Sequence, residues 1–147
     1  MFRKITIDWS YPMDYERILM DERMEDIGIY YITKIFGGKI SDLYIGKTVD
    51  AFGRRLESHW WEWLNQYRGA KQVRLGTIVS PQRLSDEERK ALINDAEMTL
   101  IFLQGTLIKN KQCRQSCNPA NRLRITNTGY RGNLPSEMFI PDEEWFP

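Results

Sequence analysis

Cysteine and histidine are nearly missing: two cysteines, Cys113 and Cys117, and one histidine, His59, stand in 147 residues. That count excludes a disulfide scaffold, and reduced thiols suit a cytoplasmic setting. Cys113 and Cys117 have no second pair to complete the four ligands of a zinc site. Long apolar runs are lacking as well. Nothing approaches the ~20 residues of a membrane span, and the first eight residues lack the apolar stretch and small-residue cleavage site of a signal peptide. Charge of one sign does not dominate: 21 Lys and Arg oppose 20 Asp and Glu, for a net +1. Such a balance argues against a protein that coats nucleic acid indiscriminately. With no repeats, no low-complexity segment and no dividing linker, residues 1–147 read as one domain.

What is present is uneven. Segment 14–26 holds six acids against Arg17 and Arg23, segment 109–131 holds six bases and no acid, and the tail is acidic again at Glu137, Asp142, Glu143 and Glu144. A basic stretch between acidic ends suits a protein that presents one positive face to a polyanion. The plainer reading is a solvated surface, or bases that pair with the acidic ends.

Residues 2–9 alternate around Ile5, Ile7 and Trp9, which predicts a strand with one buried face, or an ordered arm. Residues 27–35 are β-branched and aromatic, and predict a second strand. Gly37-Gly38 is a turn signal, and 43–48 the returning strand. The parity of this hairpin matters. A turn of Gly37-Gly38 alone sets Phe36 against Lys39 and Tyr30 against Ile45, which puts Tyr44 on the sheet face opposite Tyr30. For both phenols to share a face, the loop must have an odd number of residues or the ladder a bulge.

Asp50 is suited to cap a helix over 51–67, with Phe52, Leu56, Trp60, Trp63, Leu64 and Tyr67 as its buried stripe. Arg55 and His59, four apart, share one flank of it. Residues 73–79 alternate as a third strand. Ser85 with Glu88 forms a capping box opening a helix to about residue 109, and Glu97 sits among its apolar positions. Beyond 111 the signals are those of loops, with a short strand near 123–125.

Gly28-Ile29-Tyr30, Tyr44-Ile45-Gly46-Lys47, Arg55 with His59 four later, and Glu97 in a late helix occur in that order. Together they resemble the GIY-YIG endonuclease family over about residues 27–121, with 1–26 and 122–147 as extensions. Segment 31–43, between the two motifs, is slightly longer than usual in that family. The resemblance implies an α/β (α+β type) fold: a small, mainly antiparallel three-stranded sheet flanked by helices. It also implies a metal-dependent DNA endonuclease in which water attacks the phosphodiester in line.

Residue by residue, Tyr30 and Tyr44 would be the active-site phenols; the plainer reading of either is a strand aromatic that packs. Arg55 would bind the scissile phosphate with its fork of donors, with Arg54 as structural rival or as a contact to DNA backbone. His59 would bond a phosphate oxygen or relay a proton; otherwise it is a helix histidine beside Trp60 and Trp63. Glu97 would hold one Mg2+ or Mn2+ ion, since magnesium needs few protein ligands. The rival alignment places Gln104 there and leaves the site without its acid. Asn121, or else Asn118, would complete the site, and Lys47 would steer phosphate unless it is a plain surface lysine. Specificity would come from a homodimer or a partner protein, and no membrane is implied. Two other classes stay open: a catalytically lapsed nucleic-acid-binding or regulatory module, and a protein-interaction domain that uses the acidic tail.

Overall fold

The computed structural model describes residues 2–48, 52, 56, 59, 69–79, 83–104 and 122–141. Chain order is β1 (Phe2–Trp9), β2 (Met13–Asp14), α1 (Tyr15–Ile18), a 3-10 turn (Glu22–Glu25), β3 (Gly28–Phe36), β4 (Lys39–Thr48), β5 (Ala70–Val79), α2 (Asp86–Leu103), β6 (Arg122–Gly129) and β7 (Glu137–Phe139). The long strands β1, β3, β4, β5 and β6 sit where β-branched and aromatic residues recur. The helix α2 starts at the expected place: Ser85 accepts from the Glu88 amide and the Glu88 side chain accepts from the Ser85 amide.

The architecture departs from the small three-stranded sheet flanked by helices. The protein is mostly β: seven strands form one mixed sheet, in the order β4-β3-β5-β1-β6-β7, with β2 also on β5. Strand β1 runs antiparallel to β5 and parallel to β6, with Ile5 opposite Ile125. The strands that enlarge the sheet come from the segments read as extensions. Their pairing was illegible because the partners, β1 and β6, lie at the two ends of the chain, and alternation in one strand does not name its partner.

The sheet is covered on both faces, so β3 is buried from Gly28 to Thr33. On one face Ile29, Tyr31 and Ile45 join Leu92, Ile93, Ala96, Leu100 and Ile101 of α2, with Ile5, Ile7, Trp9, Leu123 and Ile125. On the other, Tyr30, Ile32, Leu43, Val73 and Leu75 pack with Tyr15, Ile18, Met24, Phe52 and Leu56. Burying each such large apolar side chain contributes ~1.5–3 kcal/mol. Phe52, Leu56 and His59 are helical and buried, at the spacing of one helix face. The remainder of the helix expected over 51–67 lies outside the described residues.

Candidate active site

The hairpin of β3 and β4 turns on Gly37 and Gly38 alone, both with left-handed φ (62° and 77°), and Phe36 pairs with Lys39. By parity alone the two motif tyrosines would then point to opposite faces. The ladder shifts between Ile32 and Thr33: Ile32 pairs with Tyr44, but Thr33 pairs with Asp42, so Leu43 is the extra residue of a bulge. Leu43 is buried in the second cluster. Beyond the bulge Tyr30 faces Gly46, and Tyr44, two residues from Gly46, comes to the face of Tyr30.

The rings meet there. Tyr30 and Tyr44 stack with centroids 6.0 Å apart and planes 26° from parallel. His59 sets its ring 4.8 Å from Tyr44 and 5.6 Å from Tyr30. The Tyr30 hydroxyl and His59 Nε2 lie 2.6 Å apart in a buried hydrogen bond. Depending on the imidazole tautomer, the phenol donates to Nε2 or the Nε2–H donates to the phenolic oxygen, and either way the two groups are in hydrogen-bond reach for a proton to pass between them. Tyr30 is fully buried and His59 nearly so, whereas Tyr44 is half-buried and is the ring of the three that reaches solvent. Phe52 packs edge-on against Tyr30 at 6.3 Å. The Tyr15 hydroxyl donates to the Leu56 carbonyl at 3.1 Å, tying the helical segment that carries His59 to α1.

Lys47 leaves β4 toward the other face, and its Nζ donates to Asn94 Oδ1 on α2. Glu97 follows Asn94 by three residues, on the adjacent turn, and is 3 % exposed. Helix α2 covers the sheet face opposite Tyr30 and Tyr44. The sheet therefore stands between Glu97 and the tyrosines, and β4, which carries Tyr44, is one of its two outer strands. Among the described residues no three His, Cys, Asp or Glu side chains converge to hold a metal ion. Arg54, Arg55, Asn118 and Asn121 lie outside the described residues.

Gln104, the rival of Glu97, is the C-cap of α2, and its amide donates to Asp42 Oδ2 at 2.8 Å. It belongs to a polar cluster on the α2 face that the sequence did not announce. Asp42 is 2 % exposed and also accepts from the Tyr31 hydroxyl and from Asn133 Nδ2 at 3.1 Å. Arg74 bonds Thr33 Oγ1 at 2.9 Å and lies 5.7 Å from the centre of the Tyr31 ring. Burial, then the bond to Asp42, pushes the Tyr31 phenol far above its usual range, and burial pulls Arg74 below its own. The one available hint was a lone carboxylate, Asp42, directly before the apolar run Leu43-Tyr44-Ile45. No family model, no curated protein and no solved structure matches the chain.

Proposed function

We propose that the protein is a metal-dependent DNA endonuclease of the GIY-YIG type. The observation that carries this reading is the meeting of Tyr30, Tyr44 and His59 on one sheet face, closed by the 2.6 Å Tyr30–His59 bond. A bulge that inverts the natural parity of a two-residue hairpin has a clear use when both phenols must serve one site. Packing alone would accept an apolar residue at Tyr30, without a polar group to satisfy in the core.

In this reading Tyr44, the ring with solvent access, orients the attacking water. The proton of that water passes inward to the Tyr30–His59 pair. The water oxygen bonds to phosphorus as the bond to the 3′ oxygen breaks, leaving a 5′-phosphate and a 3′-hydroxyl that takes up a proton. Arg55 would stabilise charge on the phosphoryl oxygens, and electrostatic stabilisation of this kind is usually the largest contribution. Glu97 would hold the cation. A single buried carboxylate fits Mg2+ or Mn2+, which keep most of their waters, and does not fit zinc. Bound there, the ion would supply further positive charge at the phosphate. The engagement of Gln104 with Asp42 supports Glu97 over Gln104 for this part. DNA is the substrate, with a homodimer or a partner protein supplying specificity, in the cytoplasm.

A second reading is favoured by one specific observation: Glu97 rides on the helix that covers the face opposite the tyrosines. A binding module that has lost cleavage would show that separation. Nicking and cleavage of plasmid, branched and single-stranded DNA with Mg2+ or Mn2+ separates the two. The nuclease reading expects cleavage that Glu97→Ala and Tyr44→Phe each reduce at least ~100-fold. Wild-type binding without cleavage leaves the lapsed module, and cleavage unaltered by both substitutions ends the assignment.

A further inference from the structure

The ladder between β3 and β5 ends at Ile29 opposite Gly76. Strand β5 runs on to Val79 against β1, with Ile7 opposite Ile78. Past Gly76, the side of β5 that faced β3 therefore has no strand beside it among the described residues. A hollow of about 310 Å³ opens at that point. It lies at the low end of the ~300–1,000 Å³ typical of ligand sites, which suits a single ring system rather than a large cofactor. Ile27, Ile78 and Ile93 line it. Ile78 and Ile93 are buried members of the core on the α2 face, and Ile27 packs against that core, so the floor is apolar.

Asp26 and Arg89 also border the hollow, and both are exposed. They carry opposite charges, yet neither side chain makes an ion pair or hydrogen bond with the other or with a third group. The backbone fixes Asp26: its amide donates to the Arg23 carbonyl at 2.9 Å, and its carbonyl accepts from the Phe52 amide at 3.1 Å. The surrounding charges are mostly acidic. Segment 21–26 holds four acids and Arg23, which feels the Asp26 charge but is bonded twice to Asp21. Arg89 follows Asp86, Glu87 and Glu88, and the Glu88 carboxylate turns back to the Ser85 amide. Such surroundings disfavour a free anion as the guest and leave a neutral one unopposed.

Asp26 as a carboxylate can only accept, and Arg89 can only donate. The rim therefore fits a neutral ring that presents donors on one part of its edge and acceptors on the next. Guanine has that edge: N1–H and the N2 amino group suit a carboxylate, and O6 and N7 suit a guanidinium. The two contacts fall on neighbouring parts of the ring, so the acid and the base that make them stand apart, as Asp26 and Arg89 do. Adenine and cytosine each set a ring acceptor nitrogen against the carboxylate beside their amino group, and thymine flanks its one N–H with carbonyls.

We propose that this hollow binds a guanine base, with Asp26 accepting from N1–H and the N2 amino group, Arg89 donating to O6 and N7, and the three isoleucines against the ring. The base arrives as a free nucleoside or turned out of a DNA strand, and neither contact depends on cleavage.

The test is titration of the full chain with guanosine, inosine, adenosine and cytidine, followed by amide NMR. Guanosine should shift the Ile27, Gly28, Ile78 and Ile93 amides and bind at least ~10-fold tighter than adenosine or cytidine. Inosine, which lacks the N2 amino group, should bind ~10-fold more weakly than guanosine. Asp26→Asn should remove that difference, and Arg89→Gln should weaken guanosine binding ~10-fold. Both positions are exposed, so both variants should fold. Lys90→Gln, at the exposed position next to Arg89, should bind like wild type. An oligothymidine with one central guanine separates the two sources. Tighter binding than guanosine places the guest in a DNA strand, and equal or weaker binding marks a free nucleoside. Equal affinity for the four nucleosides, displacement by inorganic phosphate, or leucine saturating the same amides overturns the pocket. So does an unaltered guanosine preference in Asp26→Asn, or the absence of any shift at millimolar guanosine.

Discussion

Tyr30 lies directly across the β3–β4 ladder from Gly46, and its ring fills the space that a side chain at Gly46 would need. A Cβ built on Gly46 overlaps the Tyr30 hydroxyl and Cζ and comes within 2.6 Å of Tyr44 Cε1. The glycine of the second motif is therefore a packing requirement of the two tyrosines. Gly46→Ala should cost ~1–3 kcal/mol through overpacking and should pull Tyr30 from His59. Thermal unfolding measures the first effect, and cleavage or the His59 ring resonances in NMR the second. A variant with wild-type stability and unmoved His59 resonances would contradict the geometry.

Tyr30→Phe keeps the ring and deletes the bond to His59. The buried Nε2 then loses this partner, at a cost of ~1–3 kcal/mol. If the pair relays a proton, cleavage should fall ~100-fold or more while DNA affinity in EDTA holds. Equal cleavage by variant and wild type would reduce the pair to a packing device.

Asp42→Ala tests the cluster on the other face. Tyr31, Gln104 and Asn133 all direct donors at this carboxylate. Its loss should destabilise by ~3 kcal/mol, because two buried donors, Tyr31 and Gln104, lose one acceptor together. A double-mutant cycle with Tyr31→Phe should show clear coupling, since the two substitutions break the same bond. Simple additivity would place the stabilisation elsewhere.

Tyr31 also sets an alkaline limit. Its phenol is held above the ordinary tyrosine value of 10.0, first by burial and then by Asp42. The sign follows from linkage: the unfolded chain loses this proton near pH ~10 while the folded chain keeps it. The contribution is thus complete below pH ~10 and shrinks as pH climbs past it. Tyr31→Phe should flatten the decline of stability above pH ~10 relative to wild type, as read by denaturant melts at stepped pH. Parallel declines in the two proteins would contradict a protected phenol.

Much of this protein was legible along the chain. Period-two alternation marked β1 and β5, β-branched and aromatic composition marked β3, the Gly37-Gly38 turn marked the return into β4, and Ser85 with Glu88 marked the start of α2 to the residue. All are local: alternation reports which face is buried, composition and turn residues report the backbone they favour, and a capping box joins residues three apart. The hairpin stated its own condition, a changed loop length or a bulge, without saying where it would be met. The bulge opposite Ile32 and Thr33 places Leu43 in the core cluster that also holds Phe52, Leu56 and Val73, residues no window along β4 contains.

Remote partners were beyond such reading. The parallel register of β1 and β6, the assembly of Asp42 with Tyr31, Gln104 and Asn133, and the seating of α2 across from the tyrosine face each join segments far apart in the chain. The same apolar stripe can cover either face of a sheet. Which face it takes is set by how the whole set of strands closes over one core, and that is a property of the assembled layers.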